Sequence, residues 1–143
     1  MIPFSFIGER IDVMIEVYFD GASKGNPGPS GAGIYIKKGS DQWRYSYPLG
    51  EYSNHEAEFI AFNKALQICL EHKFSVVSFR TDSKLVCDAV EKDFVKTEQF
   101  RPYLLQAQTY IKQFDLFFIK WISSKENKNA DELARKAIHS ITK

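Results

Sequence analysis

Apolar positions along the chain change period several times, from the alternation of a half-buried strand to the three-to-four spacing of a helix. Residues 14–19 read M-I-E-V-Y-F, a run of strand formers, and Asp20-Gly21 follows as its terminator. Residues 25–31 are so dense in glycine and proline that they predict a tight loop without regular structure. Two more strand-like runs, 33–37 and 43–49, flank the polar turn Lys38-Gly39-Ser40-Asp41, and with the first run they predict an antiparallel meander. Ser53-Asn54 offers helix caps, after which Ala57, Ile60, Ala61, Ala65, Leu66, Ile68 and Cys69 recur near helical spacing until Lys73. Residues 76–81 are a β-branched run and predict a fourth strand, which Asp82-Ser83 closes while opening a helix over 84–91. Another helix is predicted over 99–114 and a fifth strand over 116–122. The last helix has the cleanest signature: Ala130, Leu133, Ala134, Ala137, Ile138 and Ile141 form one stripe that leaves Asp131, Glu132, Arg135 and Lys136 off it.

This order predicts an α/β fold, a five-stranded mixed sheet of three antiparallel and two parallel strands flanked by helices. Ligands of such sheets sit beyond the carboxyl ends of the strands, where Asp20 and Asp82 are expected. A length of 143 residues suits one compact domain over 14–143. Residues 1–13, upstream of the second methionine Met14, read as an N-terminal extension, a tail or an extra strand. Their apolar opening is too short for a signal peptide core and has no basic region before it.

Hydrophobic content of 44% against 26% charged residues excludes a disordered chain, and no apolar run is long enough for a membrane-spanning helix. Cys69 and Cys87 lack metal-ligand spacing and suit a reducing compartment, and the absence of an export signal leads to the expectation of a cytoplasmic protein. A net charge of +1 does not discriminate, because an enzyme acting on nucleic acid combines an acidic metal site with scattered phosphate contacts.

Four acids stand at informative places: Asp20 after the first strand, Glu58 in the first helix, Asp82 after the fourth strand and Asp131 in the last helix. Hard divalent cations take oxygen ligands, and a cluster of acids is suited to holding them. Taken singly, each has an ordinary explanation as a turn, a helix cap or a solvated helix position. Together they carry more weight.

Residues 15–141 strongly resemble the ribonuclease H family, in its type I branch. Asp20-Gly21-Ala22-Ser23-Lys24-Gly25-Asn26-Pro27-Gly28-Pro29-Ser30-Gly31 is similar to the family's first motif, and Ser53-Asn54-His55-Glu56-Ala57-Glu58-Phe59 to the second. Thr81-Asp82-Ser83 resembles the third, and Lys125-Glu126-Asn127-Lys128-Asn129-Ala130-Asp131-Glu132-Leu133-Ala134 the fourth. The resemblance implies an endonuclease that hydrolyses the RNA strand of RNA–DNA hybrids with two Mg²⁺ ions, Mn²⁺ being a substitute, and leaves 5′-phosphate and 3′-hydroxyl ends. Asp20 would bridge both ions, Asp131 would help hold the ion that activates water, and Glu58 with Asp82 would hold the ion on the leaving-group side. Gly25 and Asn26, with the region of Glu58, would read 2′-hydroxyls, the group that separates RNA from DNA. Ser53 and Thr97 would grip a phosphate of the DNA strand, with Asn54 and His55 completing the substrate contacts. No protein partner is implied, and a monomer is expected.

Two departures from the family pattern shape the expectation. His55 stands where a second asparagine is usual, and no histidine occurs between the fifth strand and the last helix, which points to the short, histidine-loop-free subgroup. His72 and His139 are expected at the surface. The Lys-rich handle of some relatives is also absent, so activity is expected to be sensitive to salt. The main alternative is a catalytically weak or inactive hybrid- or RNA-binding protein on the same fold; DNA cutting of the integrase type is a third.

Overall fold

The computed structural model describes residues 14–141, so the expected extension over 1–13 and the side chain of Ile141 lie outside the described residues. Strands β1 (Ile15–Ser23), β2 (Gly28–Lys38) and β3 (Asp41–Tyr52) form an antiparallel meander. β4 (Val76–Thr81) and β5 (Leu116–Trp121) add in parallel, giving one sheet in the order β3-β2-β1-β4-β5. Helices α1 (Asn54–Glu71), α2 (Lys84–Lys92), α3 (Arg101–Ile111) and α4 (Lys128–Ile141) connect and cover it, with 3₁₀ turns at Glu98–Phe100 and Ser124–Glu126. The expected mixed sheet of three antiparallel and two parallel strands is the one observed.

Of the boundaries that differ from the sequence expectation, three have a clear physical reason. β1 does not stop at Phe19: Asp20 pairs with Gly33 and the ladder continues to Ser23 opposite Ser30. The parallel ladder to β4 ends at Tyr18 opposite Arg80, so Asp20 passes the end of one neighbour while still held by the other. The irregular loop shrinks to residues 24–27, because Gly28 to Gly31 are paired strand residues. The helix expected over 99–114 begins as a 3₁₀ turn and ends at Ile111; Pro102 lies in the first turn of α3, where its missing N–H costs no helical bond.

The core lies between the sheet and α1. Phe19, Phe62 and Phe79 are fully buried, with ring centroids 5.0 to 6.1 Å apart. The buried arc of α1 is wider than one stripe because a second helix side joins it: Phe59 stacks on Phe100 and Tyr103 at the start of α3. Sequence spacing placed Ile60 in the stripe and missed Phe59 and Phe62. His72 is not a plain surface residue; it is half-buried, stacked on Phe74 at 4.8 Å with Nε2 2.8 Å from the Tyr45 hydroxyl. His139 is exposed, as expected.

Ser53 caps α1 reciprocally: its Oγ accepts from the Glu56 amide at 3.2 Å, and Glu56 Oε1 accepts from the Ser53 amide at 3.2 Å. Ser53→Ala is expected to lower stability by about 1 kcal/mol in a urea titration, through loss of that cap.

Candidate active site

Asp20 is the hub of a carboxylate cluster. It sits in β1, almost fully buried, while Glu58 comes from the second turn of α1, Asp82 from the residue after β4, and Asp131 from the first turn of α4. Gly21 brings Glu58 close: a Cβ there would overlap the backbone of Ala57 and the Glu58 amide, so only glycine lets α1 lie directly against β1. On the opposite face α4 lies against β2 at Gly31 and Gly33, where any Cβ would enter the carbonyls of Ala134 and Ala130. That close approach sets the position of Asp131. Ser46 Oγ adds a bond to the Leu133 carbonyl at 2.6 Å.

Each outer acid is oriented by a neighbour. Glu58 Oε1 accepts from Ser83 Oγ at 3.0 Å and lies 2.9 Å from His55 Nδ1. Asp82 Oδ1 accepts from Asn127 Nδ2 at 2.7 Å, and the Asp82 carbonyl accepts from Trp121 Nε1 at 3.1 Å. Asp131 Oδ2 accepts from Arg135 Nε at 3.0 Å, one turn along α4. Ser83 also caps α2, its Oγ accepting from the Val86 amide at 3.2 Å.

The electrostatics follow from this crowding. Burial, then the charge of Asp82, a hydrogen bond and charge from Asp131, and the charge of Glu58 push the Asp20 carboxyl up to about 8. Glu58 is also raised, by burial, against the opposing help of His55 and Ser83. Such acids crowd one another unless a cation intervenes. An all-oxygen donor set of this kind fits a hard divalent ion such as Mg²⁺ or Mn²⁺. Among the described residues, no three His, Cys, Asp or Glu side chains close around a single ready-made ion position. The cluster is an open one, its outer oxygens engaged by Asn127, Arg135, His55 and Ser83.

The other expected residues divide. Gly25 and Asn26 are exposed on the β1–β2 loop, and Gly25 has φ +137°, a conformation that favours glycine. That loop is tied to the start of α1, because Ser23 Oγ lies 2.7 Å from the carbonyls of both Gly25 and Tyr52. It thus shares a surface with Ser53, Asn54 and His55. His55 turns its Nδ1 toward Glu58 and packs edge-on against Phe100. Thr97 is exposed at the start of the 3₁₀ turn that carries Phe100, with no side-chain cap bond, and no hydrogen bond joins it to Ser53. Sequence reasoning missed the roles of Ser83, Asn127, Trp121 and Arg135. For Ser83, Asn127 and Arg135 the available signal was position, a polar residue beside an acid or four positions from it, and Trp121, 39 positions from Asp82, carried none.

A mixed five-stranded sheet, with acids from α1, α4 and the end of β4 around Asp20 of its first strand, is the arrangement of the ribonuclease H-like class of nuclease folds. Residues 18–137 match the model of the Reverse transcriptase-like family. The chain belongs to that family, and within it to the type 1 ribonucleases H. It is 42% identical over 130 residues to the Enterococcus faecalis protein EbsB, covering 90% of this chain and 96% of that one. It is 30% identical to the Ribonuclease H of Rhizobium meliloti, covering 90% and 93%. Among solved structures, RNase H1 from the halophilic archaeon Halobacterium salinarum superposes with a TM-score of 0.84 at 28% identity, covering 89% and 98%. LC11-RNase H1 in complex with an RNA/DNA hybrid gives 0.82 at 26% identity, covering 90% and 99%.

Proposed function

We propose that this protein is a metal-dependent endoribonuclease that hydrolyses the RNA strand of RNA–DNA hybrids, leaving 5′-phosphate and 3′-hydroxyl ends. The observation that carries the reading is the gathering of Glu58, Asp82 and Asp131 around the buried Asp20, whose proton affinity is raised by burial and then by those neighbours. The hybrid as substrate is supported by the likeness to LC11-RNase H1, a protein solved with an RNA/DNA hybrid.

In this reading Asp20, Glu58, Asp82 and Asp131 are the residues that would hold divalent ions. Bound there, the ions would supply activation of water and neutralisation of the leaving oxygen. Ser83 and His55 fix the direction of the Glu58 carboxylate, and burial of Asp20 keeps bulk water from competing for its oxygens. Ser53 Oγ, already accepting from the Glu56 amide, has its own hydrogen to offer a phosphate. Gly25 and Asn26 present exposed backbone and amide groups to 2′-hydroxyls beside Asn54 and His55, and Thr97 contributes from the start of the 3₁₀ turn that carries Phe100. The reading places the enzyme, as a cytoplasmic monomer, in the short subgroup whose connection from β5 to α4 has no histidine. Residues 14–143 are its domain and 1–13 an extension. No helix among the described residues is long and apolar enough to cross a membrane.

The test is incubation of the purified protein with labelled RNA–DNA hybrid, duplex DNA and duplex RNA, with Mg²⁺, Mn²⁺ or EDTA. Cleavage confined to the RNA of the hybrid and abolished by EDTA is the expected result. Cleavage that persists in EDTA, or equal attack on duplex DNA, overturns the proposal. Hybrid retention without cleavage in either metal identifies a binding protein instead.

A further inference from the structure

Asn127 precedes α4 and is 1% exposed, among the largest fully buried side chains. Its Nδ2 donates to the Phe19 carbonyl at 3.0 Å and to Asp82 Oδ1 at 2.7 Å. A carbonyl and a carboxylate only accept, so chemistry requires the amide nitrogen to face them. Its backbone carbonyl accepts from the Asp131 amide at 3.1 Å. One residue therefore touches the strand position next to Asp20, the side chain of Asp82 and the backbone of Asp131. Its Oδ1 is buried without a partner among the described residues, a cost to stability that a packing residue would avoid.

We infer that Asn127 is a positioning residue that sets the spacing of the cation-binding acids, holding Asp82 by one oxygen and tying the strand of Asp20 to the helix of Asp131. This rests on the proposed reading of the cluster as a divalent-cation site. The 2.7 Å bond is charge-assisted and fixes the rotation of the Asp82 carboxylate through one of its two oxygens. No other described side chain reaches Asp82 Oδ1 by a hydrogen bond, so the orientation is lost with the amide.

Asn127→Ser separates the two roles. A serine hydroxyl still suits the start of a helix but is too short to reach both Phe19 and Asp82. Calorimetric titration of Mg²⁺ into the wild type, Asn127→Ser and Asn127→Ala, with thermal unfolding of each, reads the effect. Cooperative unfolding with Mg²⁺ bound about 10–100-fold more weakly is expected in both variants, and hybrid cleavage recovering at high Mg²⁺. If Asn127→Ala fails to fold, Asn127→Ser decides. A folded variant with wild-type Mg²⁺ affinity and a lowered Tm alone means a packing role and overturns the inference. A wild type that binds no Mg²⁺ or Mn²⁺ overturns the cation reading itself, and this inference with it.

Discussion

Asparagine in place of Asp20 is expected to lower hybrid cleavage by at least about 10³-fold, equivalent to about 4 kcal/mol of transition-state stabilisation. Every other acid of the cluster acts on this one carboxylate, so no neighbour can replace it. The same substitution is expected to stabilise the metal-free protein at neutral and mildly alkaline pH. Asp20 titrates near 8 in the folded chain against 3.8 ordinarily, so the folded state keeps a proton that the unfolded state releases. Stability linked to Asp20 is complete below about pH 4 and drains away as pH rises toward 8. Asparagine has no proton to lose, and the variant's stability should be flatter over that window. Thermal unfolding in EDTA at pH 5, 7 and 8 measures it. Parallel Tm–pH curves for wild type and variant would show that Asp20 is not the buried acid responsible.

The second large effect belongs to Gly33. A methyl group there enters the Ala130 carbonyl and meets the Ala134 amide and Leu133 Cβ, atoms of a helix that no rotamer change can move aside. Gly33→Ala is expected to cost about 3 kcal/mol or more, the upper end of overpacking, as α4 is forced off the sheet. Asp131 rides on that helix, and cleavage should fall with stability. Gly39→Ala is the contrast. Its position has φ +60° but open space around it, so it carries backbone strain of roughly 1 kcal/mol and no clash. Urea midpoints for the two variants decide the matter, and equal losses would count against the close packing of α4 on β2.

Much of this protein was legible in its residues. The stripe from Ala130 to Ile138 names a helix with one apolar face, because helical periodicity survives whatever the helix packs on. The four acids were legible as a set, since they stand in four motifs that resemble, in order, those of a known family. Other features exist only in three dimensions. Asp20 lies inside a strand rather than at its end because β2 pairs with it for longer than β4 does, and pairing length is a property of neighbours. Phe59 and Phe62 are buried because α1 meets both the sheet and α3, which local spacing cannot reveal. Asn127 contacts Phe19 across 108 positions and Asp82 across 45. The chain alone determined which carboxylates are available to the proposed cation site. Tertiary packing, through glycines that admit two helices and one buried amide, decided where those oxygens point.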